Sequence, residues 1–118
     1  MYGIPSGFDP SLFIGRELQQ VSFTVNTVHL TFDDEFAITI ESSFLFQPDK
    51  TEPASRQTLP VRESNLMSLL GHQVSAARSA ADRDLILEFT GGGVLTCIDD
   101  SREYESYHIW IHGEQIVI

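Results

Sequence analysis

The densest group of side chains able to do chemistry is YHIWIHG, residues 107–113, where His108, Trp110 and His112 alternate with Ile109 and Ile111. Two histidines at positions i and i+4 can chelate one metal when a helix makes them neighbours. Isoleucine at every second position predicts a strand instead, and there the same spacing separates the Cα atoms by roughly 13 Å, at about 3.3 Å per residue. No metal site is expected, and no other cofactor motif is present. Trp110 would share the half-exposed face with the two histidines, where it is a candidate anchor for a protein partner. The alternative, that a helix or a long loop covers it, stays open.

A second stretch, LILEFTGGGVLTCIDD, residues 85–100, sets Gly91, Gly92 and Gly93 in a row. A glycine loop that cradles phosphate lies between a strand and a helix N-terminus, so that amide dipoles converge on the anion. Here TCIDD continues as strand, and the glycines are read as a turn that needs positive φ. Cys97 falls at a core position of that strand, as a small buried hydrophobe rather than an activated thiolate. Serines are abundant but none sits in a G-x-S-x-G elbow, and His29 and His72 stand alone. No catalytic residue is assigned.

Two acidic runs complete the inventory. Asp33, Asp34 and Glu35 form one; Asp99, Asp100, Glu103 and Glu105, interrupted by Arg102, form the other. Neither matches the spacing of a calcium-binding loop. Solvated turn residues are the default for such runs, and contact with a basic protein is the functional alternative.

The elements that must position these residues are mostly strands. Val21, Phe23 and Val25, then Val28, Leu30 and Phe32, then Phe36, Ile38, Ile40, Phe44 and Phe46 keep a period of two with polar residues between. That is the signature of an antiparallel sheet with one buried face. QPDKTEPASRQT, residues 47–58, reads as a surface loop, and ESNLMSLL, residues 63–70, as a short helix stopped by Gly71. Strands follow at about 72–79, 84–90 and 93–99, and a last hairpin turns near Gly113-Glu114. Phe32 and Phe89, Ile38 and Leu95, and Ile40 and Cys97 are each 57 residues apart, while PSLFIG and MSLLG both end a helical turn in glycine. The pattern predicts two related halves, about 8–46 and 64–112, joined by the loop 47–58.

The chain has 118 residues with 42% hydrophobic content, enough for one domain with its own core. Seventeen acidic residues against seven basic ones give a net charge of −10. Such a surface disfavours nucleic acid and anionic membrane; solubility alone is the default reading of it, and a basic protein, where one is the partner, would be steered toward it. No apolar run has the length of a membrane span, and MYGIPSGFDP lacks the regions of a signal peptide, so a cytoplasmic location is expected. One cysteine forms no internal disulfide, which agrees with that compartment.

LLGHQV, LILEFTGGGVLTCIDD and YESYHIW, in that order, resemble a pattern in small bacterial proteins of uncharacterised function. Its marks are a leucine-glycine turn, an L-x-F-x-x-G hairpin, and a Tyr-Glu pair (here Tyr104-Glu105) before an aromatic strand. Relatives of that general kind include immunity proteins that neutralise toxins, and the resemblance implies a binding protein without catalytic residues. The expected fold is α+β: mainly antiparallel sheet with one or two short helices. The expected function is non-catalytic protein binding, as in an immunity-type inhibitor of a basic toxin, with Asp33, Asp34, Glu35, Asp99, Asp100 and Trp110 as candidate contacts. A small-ligand protein or enzyme with a site assembled through space stays open, as does a module that pairs as a homodimer through an edge strand such as QIVI.

Overall fold

The computed structural model describes residues 4–5, 7–81, 83–100 and 106–118. Ten strands appear in chain order: β1 Leu18–Phe23, β2 Val28–Phe32, β3 Phe36–Ile40, β4 Ser43–Gln47, β5 Ser55–Thr58, β6 Val74–Ala80, β7 Asp84–Phe89, β8 Val94–Cys97, β9 Tyr107–Ile111 and β10 Glu114–Val117. Their side chains alternate as the sequence requires. Val28, Leu30 and Phe32 are buried while His29 and Thr31 are exposed, and Leu85, Leu87 and Phe89 are buried between half-exposed neighbours.

The strands form two five-stranded sheets, all pairings antiparallel, in the orders β1-β2-β3-β9-β10 and β5-β4-β8-β7-β6. Each sheet takes three consecutive strands from one half of the chain and a hairpin from the other half. Only Glu41 and Ser42 carry the chain from β3 in the first sheet to β4 in the second. Both β1 and β6 carry a register shift near their start, at Leu18/Gln20 and at Val74/Ala76. These two edges meet at a bridge between Glu17 and Gln73. The hydrogen bonds there are reciprocal: Gly15 N–H donates to Val74 O at 2.8 Å and Gly71 N–H to Leu18 O at 2.9 Å. Gly15 and Gly71 hold φ of +89° and +82°, a conformation that turns each preceding helical turn into its strand.

Between the sheets lies one apolar core drawn from both. Phe13 packs edge-on against Phe32 and Phe36, with ring centroids 5.5 and 5.1 Å away, and Phe32 stacks across the sandwich on Phe89 at 6.4 Å. Tyr107 is fully buried, and its hydroxyl donates to the Arg83 carbonyl at 2.7 Å, which satisfies its one polar atom.

The antiparallel sheet is as expected, but the helical component is smaller. Among the described residues it consists of two 3₁₀ turns, Pro10–Phe13 and Leu66–Leu69. In residues 63–70 the apolar pair Leu66 and Leu69 is buried by a single turn, after which Gly71 leads into β6, so a longer helix has nothing further to bury. The segment 47–58 is not loop throughout, because Ser55–Thr58 is β5. An edge strand exposed on most of its length carries no apolar alternation, and SRQT joins the sheet through its backbone. The first strand also ends earlier than the Val21-Phe23-Val25 pattern suggests: Val25 sits in the turn after β1 and is 71% exposed.

Candidate functional site

The outer face of the first sheet gathers the side chains best placed to meet another molecule. Pairing brings Ser22, His29, Thr39 and His108 into one row across β1, β2, β3 and β9. The neighbouring row holds Thr31, Ala37, Trp110 and Gln115. Ile109 and Ile111 pack toward the core, so Trp110 projects outward from the same strand. Its indole Nε1–H donates to Thr39 Oγ1 at 3.3 Å, which lays the ring across the sheet beside the small side chain of Ala37. Thr39 is only 8% exposed, on a face where His29, Thr31 and Gln115 are exposed while Ser22, Ala37, His108 and Trp110 itself are half-buried.

The imidazoles are held as firmly. His29 Nδ1 lies 3.1 Å from Thr39 Oγ1 and its Nε2 3.2 Å from Thr27 Oγ1. His108 contacts Gln115 through Nδ1 and faces Glu41 Oε1 through Nε2 at 3.2 Å. Thr39 Oγ1 thus accepts from Trp110 while it meets His29, and Thr27 contacts the far side of that imidazole. The arrangement fixes an aromatic ring and two imidazoles on a surface. That is what a binding face needs.

The acidic candidates separate into two places. Asp33, Asp34 and Glu35 form the turn between β2 and β3, beside the β9–β10 turn: His112 N–H donates to Glu35 O at 3.0 Å, and His112 Nε2 lies 3.4 Å from Asp34 Oδ2. Arg16 reaches Asp33 at 3.6 Å and Asp34 at 3.2 Å, with its guanidinium 5.4 Å from the centre of the Phe36 ring. Part of this acidity is therefore offset internally, although Asp34 remains 58% exposed. Asp99 and Asp100 lie beyond β8, next to the opposite end of β3, where Asp100 meets Ser42 and Arg56. Asp99 is buried, accepts from the Ser106 hydroxyl and faces Arg83 at 3.5 Å. Burial pushes its carboxyl up, but hydrogen bonds and positive charge, those of Ser106 and Arg83 included, hold it below the usual carboxylate range. The structure thus places the Asp33–Glu35 turn on the same sheet as Trp110 and does not bring Asp99 and Asp100 to it. Arg102, Glu103, Tyr104 and Glu105 lie outside the described residues.

The glycine run occupies the β7–β8 turn. Gly91 and Gly92 have φ of +88° and +97°, and Asp34 and Glu35 adopt the same left-handed region in the β2–β3 turn, at +55° and +61°. A side chain on Gly91 would place Cβ 2.8 Å from His72 Cε1, and one on Gly93 would meet Leu69 Cδ2 at 2.6 Å. Turn geometry and close packing account for all three glycines. Cys97 is fully buried; burial, then the charge of Asp84, pushes its thiol far above the ordinary range. Among the described residues no group of three or more His, Cys, Asp or Glu side chains is arranged to hold a metal, and no helix is long and apolar enough to cross a membrane.

Reading the sequence alone leaves out Thr39 as the partner of Trp110, His29 as the partner of Thr39, and Glu41 as the partner of His108. A signal exists in the shared outward parity of His29, Thr39 and His108, but the pairing of β3 with β9, about 70 residues away in the chain, is what makes it spatial. The model of a family described as a family of unknown function (DUF6188) matches residues 10–118. No curated protein and no solved structure shows a match.

Proposed function

The chain belongs to this family of unknown function over nearly its whole length, and from that premise we propose that it is a non-catalytic protein-binding module. Its binding face is the outer face of the first sheet, with the Asp33–Glu35 turn at one end. The observation that carries this reading is Trp110, half-buried on the outer face of the first sheet and held there by its hydrogen bond to Thr39. A ring already fixed in place loses little conformational freedom when a partner covers it, and tryptophan is among the residues that dominate interface energetics.

Charge supports a basic partner. The five strands of the first sheet contain no lysine or arginine, whereas β5 and β6 of the second carry Arg56 and Arg78. Glu41 and the Asp34-Glu35 pair flank the Trp110 face at its two ends. Such a layout steers a cationic protein toward the ring. An immunity-type inhibitor of a basic toxin is one form of this module, in line with the resemblance drawn from the hairpin motifs.

The test is capture from lysate of the source organism on three immobilised proteins: wild type, Trp110→Ala, and the triple variant Asp33→Asn, Asp34→Asn, Glu35→Gln. One basic protein retained by the wild type should be lost from Trp110→Ala and weakened by the triple change. Equal retention by a folded Trp110→Ala protein would remove this face from consideration.

A further inference from the structure

The open edge of the first sheet points to a second interaction surface. β9 and β10 form a hairpin with a two-residue turn, His112-Gly113, in which Glu114 pairs with Ile111 and Ile116 with Ile109. Ile118 N–H donates to Tyr107 O at 2.9 Å, which fixes the parity: Glu114, Ile116 and Ile118 bond back to β9. The backbone groups of Gln115 and Val117 therefore face away from the sheet, and among the described residues they have no backbone partner. Among the described residues, the outward backbone groups of β10 are a row of donors and acceptors without backbone partners. Such a row is a template for one more strand.

Directly beneath that edge, on the inner side of the hairpin, lies a groove of about 380 Å³ between β10 and the segment before β1. Phe8, Leu12, Ile111 and Ile116 give it an apolar floor, and Leu12 is 51% exposed within it. Asp9 and Glu114 bracket the groove, and among the described residues no lysine or arginine lines it. Asp9 stays ionised, because the hydroxyl and backbone N–H of Ser11 hold its carboxyl below the usual range. In a strand added to β10, every second side chain would point to this inner face.

We propose that β10 and this groove accept an extended segment of a partner protein by strand addition, one with aliphatic residues at alternate positions and flanking lysine or arginine. Main-chain hydrogen bonds to Gln115 and Val117 supply the attachment, the groove takes the aliphatic side chains, and Asp9 and Glu114 select positive charge. The comparable outer edge of the second sheet, β5, is guarded: Pro53 and Pro60 flank it and Arg56 projects from it. A second copy of this chain is a poor occupant, since its β10, EQIV, offers no positive charge to Asp9 and Glu114. Strand addition uses the backbone of Gln115 and the inner-face groove, whereas the Gln115 side chain belongs to the Trp110 face on the other side of the sheet.

The experiment uses the full chain and a fluorescein-labelled, end-blocked octapeptide, Lys-Thr-Val-Thr-Val-Thr-Val-Lys, with a glutamate-for-lysine version as control. Fluorescence anisotropy should show saturable binding of the basic peptide only, and amide exchange at Gln115 and Val117 should slow on binding. Leu12→Lys, at an exposed position, and Gln115→Pro, which removes an outward N–H that an edge strand can spare, should each weaken binding at least about tenfold. Trp110→Ala should bind the peptide as the wild type does, so that loss at either surface can be told from loss at the other. Absence of binding up to about 1 mM peptide, equal affinity for the acidic peptide, or unchanged affinity in Leu12→Lys overturns the proposal. A wild-type dimer that Gln115→Pro converts to monomer would also overturn it, by assigning the edge to self-pairing.

Discussion

Two turns built on one backbone conformation use different residues for it, and the difference is measurable. Asp34 and Glu35 hold left-handed φ in the β2–β3 turn, where Gly91 and Gly92 hold it in the β7–β8 turn. A side-chain-bearing residue in that region costs roughly 1–2 kcal/mol relative to its favoured conformations. Asp34 has compensation, because the same geometry delivers its carboxylate to Arg16 and His112. Glu35 is exposed, and what it contributes to the turn is its carbonyl, which accepts from His112 and survives any substitution. Glu35→Gly is therefore expected to stabilise the fold by about 0.5–1 kcal/mol, the relief of strain exceeding the added freedom of the unfolded chain. Gly91→Ala should do the reverse and more strongly. It adds the left-handed cost to a Cβ placed 2.8 Å from the His72 ring, for a loss of about 2–3 kcal/mol. Denaturant unfolding of both variants checks the pair, and a neutral Gly91→Ala would mean that the turn relaxes to another geometry.

At the scale of elements, the strands legible in the sequence are those with one face in the core. β2, β3, β7 and β8 follow their apolar alternation closely, because Val28, Leu30, Phe32, Leu85, Leu87, Phe89, Leu95 and Cys97 all need the same interior. What is not legible follows from the same physics. β5 has no apolar stripe since it buries almost nothing, and the 3₁₀ turn at Leu66–Leu69 shares its leucine spacing with a longer helix. The exchange of hairpins between sheets is invisible for another reason. Whether β4 pairs with β3 or with β8 depends on the direction taken at Glu41-Ser42, and alternation is the same in both cases. The candidate face inherits that limit, since His29, Thr39 and Trp110 meet only after β9 has joined β3. The connection itself can be tested. One glycine inserted between Ser42 and Ser43 would either break the Glu41 N–H to Ser106 O bond of 2.9 Å or shift β4 by one residue, turning Phe44 and Phe46 out of the core. Its thermal midpoint should fall by about 10 °C or more, whereas the same insertion between Lys50 and Thr51, in the exposed β4–β5 loop, should cost no more than about 3 °C. Equal effects at the two positions would show that the crossover tolerates slippage.

Across the whole molecule, charge acts on folding and on binding with opposite sign under the same added salt. A net charge of −10 sits on a body of 32 × 28 × 25 Å. At about 0.01 M salt the screening length is roughly 30 Å, so every carboxylate feels most of the others; at about 0.15 M it is roughly 8 Å and only neighbours interact. Self-repulsion in the compact state should therefore decline as salt rises. The internal ion pairs pull the other way, but those among the described residues, Arg16–Asp34, Arg56–Asp100, Arg78–Glu88 and Arg83–Asp99, each have at least one partially exposed partner. Pairs of that kind contribute about 0–1 kcal/mol apiece, less in sum than the relief of an excess of ten negative charges. The unfolding midpoint is expected to rise by a few degrees (about 2–5 °C) between those salt concentrations. Attachment of a basic partner should weaken over the same range, because the field that steers it is the field being screened. A titration of both quantities in one salt series separates the causes. If stability and affinity rise together, the acidic surface serves solubility alone and the contacts at Trp110 and β10 are apolar in origin; if stability rises while affinity falls, negative charge is part of the recognition.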